Sequence, residues 1–260
     1  MSVALLFPRV ALAALAASIS IVLVATPATA QVRALRWDAG LDTALTLASA
    51  GAFLASTVLT PELASGSCRW CSASRLDTST RRALRWNDPH AADLASDATG
   101  LLTLAGAVGA DAVAASREGA ARDIPLDSLL ISEATFVAMD VCLLAKFLVA
   151  RERPNGSDNL SFFSGHATAA FAVASASGTV ATLRGYRSAP LTWVIGGTFA
   201  LATSYLRIGA DAHWLTDVAI GALVGAGVGF AIPYAFHREA AEPSRPNSVP
   251  AASPMVSIAW

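Results

Sequence analysis

Apolar residues gather along this chain in long runs that contain no Asp, Glu, Lys or Arg. Such runs cover Thr43 to Pro61, Asn159 to Leu183, Ser188 to Leu206 and Val218 to Phe236. Each is about the ~18–20 residues that a helix needs to cross a bilayer. Two further segments are less clean. Ala98 to Ala110 is short and bounded by Asp97 and Asp111, and Leu129 to Ala150 carries Glu133, Asp140 and Lys146. Together they predict six helices, with a polar linker from Glu62 to Asp93. No repeat recurs and no strand-like alternation persists over any length. The predicted fold is all-α, a multi-pass membrane bundle of about six helices. Gly221, Gly225 and Gly229 recur every four residues on one face of the last helix, a spacing that lets helix backbones pack closely.

The ends of the chain read differently. Arg9, the apolar run Val10 to Ala25 and the A-x-A triplet Ala28-Thr29-Ala30 make residues 1–30 a signal peptide or an uncleaved anchor. Residues 31–236 form the helical membrane domain. A polar, Pro-containing tail occupies 237–260, where Met255 to Trp260 could pack as a short extended piece.

Composition supports the membrane reading. Of the 260 residues, 54% are hydrophobic and 14% charged, against about 25% charged in soluble domains. Mean hydropathy is +0.52. Disorder needs low hydrophobicity and high net charge, and neither is present. A formal net charge of −1 argues against nucleic acid as a partner, which calls for a basic stripe. Three cysteines are too few for a disulfide framework.

Three polar clusters interrupt the apolar pattern. Lys146 is the only lysine beside seventeen arginines, and Arg153-Pro154 follows seven residues later. Seven residues are about two helical turns, so a continuing helix would place both cations on one face. The second cluster, Phe163-Ser164-Gly165-His166, precedes an apolar helix. Ser164 there is a natural N-cap, and the first N–H groups of the helix form an anion site. Gly165 permits close backbone approach, and His166 stands beside the anion as a proton donor or acceptor. The third cluster joins Arg207, His213 and Asp217. The four-residue spacing of His213 and Asp217 brings them together on a helical face, where a carboxylate would fix the imidazole tautomer. Alternating helices put all three clusters at one membrane face. Three cations, two histidines, a carboxylate and a helix N-terminus then make a phosphate-sized site.

The spacings K-x6-R-P (Lys146 to Pro154), S-G-H (Ser164 to His166) and R-x5-H-x3-D (Arg207 to Asp217) resemble the three signature motifs of the type 2 phosphatidic acid phosphatase family. That family shares a superfamily with acid phosphatases and vanadium haloperoxidases. Two positions depart from its pattern: Phe163 stands where proline is usual, and Leu206 where serine is usual. The resemblance implies that Lys146, Arg153 and Arg207 hold the phosphate oxygens, helped by backbone N–H groups at Ser164 and Gly165. It also implies that His213 attacks phosphorus, Asp217 orients it, and His166 protonates the leaving alcohol. No metal and no cofactor is implied. The partners are a lipid phosphate substrate and membrane lipids; the oligomeric state is left open.

Other residues carry weaker expectations. Cys68 and Cys71 form a C-x2-C that reads as a local disulfide in an exported loop, and Cys142 reads as core. Glu133 and Asp140 could line a polar cavity or accept an interhelical partner. His90 and His237 read as surface or interface histidines, and the five arginines from Arg69 to Arg85 as a solvated or headgroup-facing loop. Arg184, Arg187 and Arg238 favour the cytoplasm for the face opposite the site, hence a bacterial inner-membrane protein with its site facing the periplasm. Lipid phosphatase, phosphotransferase, vanadate-loaded peroxidase and non-enzymatic headgroup binder are the readings in play, and the membrane helices and short chain disfavour the peroxidase. Intact His166, His213 and Asp217 count against mere binding.

Overall fold

A computed structural model describes residues 32–239. The expected signal peptide or anchor, and the tail from residue 240 onward, lie outside the described residues. Eight α-helices follow in order: α1 (Ala39–Val58), α2 (Thr60–Leu63), α3 (Arg75–Leu84), α4 (Pro89–Arg117), α5 (Ile124–Val149), α6 (Gly165–Arg184), α7 (Ala189–Gly209) and α8 (Leu215–Ile232). No strand occurs among the described residues, whose one β-type contact is an isolated bridge between Trp70 and Arg151.

Local chemistry sets the helix ends. The Asp38 side chain accepts from the N–H groups of Gly40 and Leu41 and opens α1. Ser74 and Asp77 cap α3 reciprocally, Asp88 caps α4 through the Ala91 N–H, and Ser164 caps α6. These oxygens satisfy orphan donors of the first turn. Gly185, at φ 77°, ends α6, a conformation that glycine adopts without steric cost.

Six of the helices are long, which matches the bundle of about six. Four segments are long and apolar enough to cross a membrane: Ala39–Val58, Pro89–Arg117, Ala121–Val149 and Leu215–His237. Helices α6 and α7 equal them in length but are less apolar, and α6 shows why. It packs against α4, α5, α7 and α8 and buries fourteen of its twenty residues, mostly Ala, Ser, Thr and Gly. A helix enclosed by protein needs small side chains rather than lipid-soluble ones. Gly221, Gly225 and Gly229 face it as expected. A Cβ on them would lie 2.7, 2.3 and 2.3 Å from the carbonyl oxygens of Ser164, Thr168 and Ala172.

Two expectations are corrected. The short segment Ala98 to Ala110 is the middle of a 29-residue helix, because Asp93, Asp97 and Asp111 continue α4 instead of ending it. The polar linker from Glu62 to Asp93 contains α3. Arg81 and Arg85 of that helix and the turn after it are not simply solvated. Both bind Asp211, Arg81 through two bonds of 2.5 and 2.6 Å and Arg85 at 3.2 Å. These contacts fix α3 beneath the turn between α7 and α8.

Candidate active site

The end of α5, the start of α6, the end of α7 and the start of α8 meet at one end of the bundle. Lys146, in the last turn of α5, is buried, and its ammonium donates to the Leu160 carbonyl. Ala150 then turns left-handed, at φ 44°, and closes the helix. Arg153 therefore does not continue the helical face of Lys146 as its spacing suggested; it sits in the following loop. That loop folds back and aims Arg153 into the site. Its Nε donates to Asp158 at 2.7 Å, and its Nη1 reaches the Ala212 carbonyl at 3.0 Å and His213 Nε2 at 3.1 Å.

His213 lies just before α8 and is almost completely buried. Its Nδ1 stands 2.8 Å from the Ser161 carbonyl. A carbonyl only accepts, so Nδ1 carries the proton and Nε2 keeps a lone pair beside Arg153. Asp217 was expected to orient this ring directly, but its Oδ2 is 3.9 Å from Nδ1. The carboxylate is instead occupied by Arg151, by the Ser161 hydroxyl at 2.5 Å and by the Trp214 N–H at 3.0 Å. Asp217 thus acts on His213 through Ser161, whose hydroxyl it holds and whose carbonyl holds the imidazole. Burial, followed by the nearby charges of Lys146, Arg153 and Arg207, holds His213 well below the ordinary histidine pKa. The imidazole is neutral at neutral pH.

At the start of α6, the Ser164 side chain caps the helix. The Ser164 N–H, expected to face an anion, donates to the Asp217 carbonyl at 3.1 Å. That bond ties α6 to α8 and removes this N–H from the site. Gly165 and His166 are the first helical residues, whose N–H groups have no carbonyl one turn earlier to bind. His166 Nε2 is 2.8 Å from Asp97 Oδ1 of α4. Arg207, buried at the end of α7, donates to Asp93 and to Ser96 Oγ at 2.9 Å.

Sequence reasoning missed several of these partners. Asp93 reads in the sequence as the end of a linker and Asp97 as the boundary of a short apolar segment, yet their i, i+4 spacing puts both on the face of α4 turned to the site. Arg151, fully buried, joins Asp217 to Asp77 at 2.8 Å and to Thr216 at 2.7 Å, with Trp70 stacked 4.0 Å from its guanidinium. The only hint in the sequence is the arginine repeated two residues before Arg153.

Two cavities adjoin the site. A polar cleft of about 410 Å³ is lined by Asp93, Arg153, Asp158 and Arg207, with His90 at its edge. An apolar groove of about 400 Å³ starts at Asp97 and His166 and continues past Leu101, Leu104, Ala169 and Val173. A charged headgroup suits the first, and a hydrocarbon chain the second.

The PAP2 superfamily profile matches residues 128–241. The matched stretch, somewhat under half of the chain, is similar to the PAP2 superfamily. It runs from α5 to beyond α8 and holds Lys146, Arg153, Ser164, Gly165, His166, Arg207, His213 and Asp217. The acidic residues Asp77, Asp93 and Asp97 lie before it. No curated protein and no solved structure matches the chain significantly. The PAP2 match supports a phosphatase of the lipid-phosphate type in general, and the apolar helices fit a membrane protein.

Cys68 and Cys71 form a disulfide in the loop before α3. Arg69 and Trp70, between them, donate their N–H groups to the Ala150 carbonyl at 2.9 and 3.5 Å. The disulfide loop is therefore on the same face as the site. Cys142 is buried core, as expected.

Proposed function

We propose that this protein hydrolyses a phosphomonoester or diphosphate of a membrane lipid through a phosphohistidine, without a metal. The observation that carries the reading is the fixed tautomer of His213: Nδ1–H is bound to Ser161, and Nε2 is the unprotonated nitrogen, accepting from Arg153 until phosphate competes for that arginine. Nε2 attacks phosphorus, the P–N bond forms and the P–O bond to the lipid alcohol breaks. His166 supplies the proton that the departing alkoxide takes up, and Asp97 positions its ring. Water then attacks the phosphohistidine, gives its proton back to His166 and releases inorganic phosphate with His213 restored. Lys146, Arg153 and Arg207, with the Gly165 N–H, neutralise the phosphoryl oxygens as charge spreads onto them. Asp93 and Asp158 hold two of these arginines in place until phosphate competes for them. Asp217 is a positioning residue.

The site is read as facing outward. Disulfides persist in oxidising compartments, and Cys68–Cys71 lies on the site face, while Arg184, Arg187 and Arg238 lie on the other. Six crossings put residues 32 and 239 together on the face away from the site. An outward site and cleavage after Ala30 are therefore mutually exclusive, and the disulfide supports the outward site.

The test is phosphate release from phosphatidate and prenyl phosphates in detergent micelles by purified protein, with and without EDTA. Release should be unaffected by EDTA and absent from His213→Ala. Asp97→Asn should slow it roughly 10–100-fold, as loss of a hydrogen bond to a charged group does. Appreciable turnover by His213→Ala would overturn the mechanism, as would an EDTA block reversed by added metal at a temperature where the chelated protein stays folded. Transfer to an alcohol without free phosphate would make the protein a phosphotransferase.

A further inference from the structure

At the other end of the bundle, three separate elements bring Asp42, Glu133 and His237 together. Asp42 comes from the first turn of α1, Glu133 from α5, and His237 from the turn that follows α8. One carboxylate oxygen from each acid and one ring nitrogen of the histidine lie within 4.8 Å of one another. All three residues are buried, with His237 2% exposed and Glu133 5%. Of the surface and interface settings expected for His237, the structure shows the second: it is buried between elements.

The hydrogen bonds around the cluster decide its chemistry. His237 Nδ1 is 3.0 Å from the Arg36 carbonyl, so Nδ1 carries the proton and Nε2 has the lone pair. That lone pair lies 3.7 Å from Glu133 Oε2. Neither atom has a hydrogen-bond partner among the described residues. Two buried acceptors without donors are costly, and a cation between them would satisfy both. Ligand atoms bound at about 2.0–2.1 Å around a tetrahedral zinc ion lie roughly 3.4 Å apart, close to the observed separation. The backbone carbonyl on the far side of the ring is the outer-shell partner typical of metal-bound histidines. The Asp38 N–H plays the same part for Asp42, donating to Oδ2 at 2.7 Å.

We propose that Asp42, Glu133 and His237 bind a divalent ion of the zinc class. One imidazole and two carboxylates provide the donors and cancel its charge. The ion fastens α1, which precedes the PAP2 segment, to α5 and to the end of α8. It lies at the end of the bundle opposite the polar cleft and takes no part in turnover.

The experiment is elemental analysis of the full chain purified in detergent without chelator, repeated after incubation with Zn²⁺ and removal of the excess. The proposal expects roughly one ion per chain, and loss of that ion from His237→Ala and Glu133→Gln. EDTA should lower the melting temperature and Zn²⁺ should restore it. Should the variants fail to fold, Co²⁺ added to the chelated parent should give the visible d–d bands of a tetrahedral site. No bound metal in the parent after Zn²⁺ incubation, equal uptake by folded variants, or absent Co²⁺ bands would overturn the proposal and leave a proton-sharing ion cluster. Metal content is read independently of turnover, so the outcome stands apart from the phosphatase reading.

Discussion

His213 shows how much of a residue's chemistry is set by its neighbours. An exposed imidazole would be partly protonated below about pH 6.5. Here burial comes first, and the charges of Lys146, Arg153 and Arg207 second, in keeping the ring neutral. The neutral ring is the nucleophile in the proposed reaction, so lowering its pKa moves the acid limb of activity to lower pH. Removing a cation must move that limb the other way. We expect the acid limb of kcat/KM on a soluble phosphate ester to lie below the ordinary histidine range, and to shift upward in Arg153→Ala. The whole profile should also drop, because in the proposed reaction that cation holds a phosphoryl oxygen. A pH titration of both proteins checks this, and an acid limb that stays put in the variant would show that Arg153 does not tune His213.

At the scale of elements, the distance between α6 and α8 sets the distance between the two histidines. His166 sits in the first turn of α6 and His213 just before α8. Glycines hold these helices at backbone contact, and Gly225 and Gly227 provide an internal comparison. A Cβ at Gly225 would lie 2.3 Å from the Thr168 carbonyl oxygen and 3.1 Å from the Ala172 nitrogen, whereas at Gly227 it meets nothing within 4 Å. Gly225→Ala should cost about 1–3 kcal/mol through overpacking. Gly227→Ala should be neutral, or gain up to about 1 kcal/mol from helix propensity. Thermal unfolding in detergent measures the difference. Equal melting temperatures would mean that the α6–α8 contact is not the tight one described.

The whole molecule has two dissimilar ends. One holds the polar cleft, the disulfide loop and α3. The other holds buried Arg184, bound to Asp127 at 2.5 and 2.8 Å, together with residue 32 and His237. Exposed Ser157 and Arg187 mark the two ends. With the site outward, an impermeant maleimide should label Ser157→Cys in intact cells, and Arg187→Cys only after the membrane is opened. The reverse pattern would place the site on the inner face and restore cleavage after Ala30.

Amino-acid order alone determined the helical class, the six long helices, the glycine face of α8 and the motif residues of the cleft. Each of these rests on short-range periodicity or on spacing within one segment, which a linear pattern records. Tertiary structure decided the partners. Asp97 meets His166 across 69 residues, Asp93 meets Arg207 across 114, and His237 meets the Arg36 carbonyl across 201. A charge at the edge of an apolar run reads as the end of a helix until the facing helix supplies its counter-charge. The same holds for Asp217. Its four-residue spacing from His213 suggested direct contact, but α8 begins only at Leu215, so His213 lies outside the helical register. The space between them went to Ser161, which no local pattern connects to either residue.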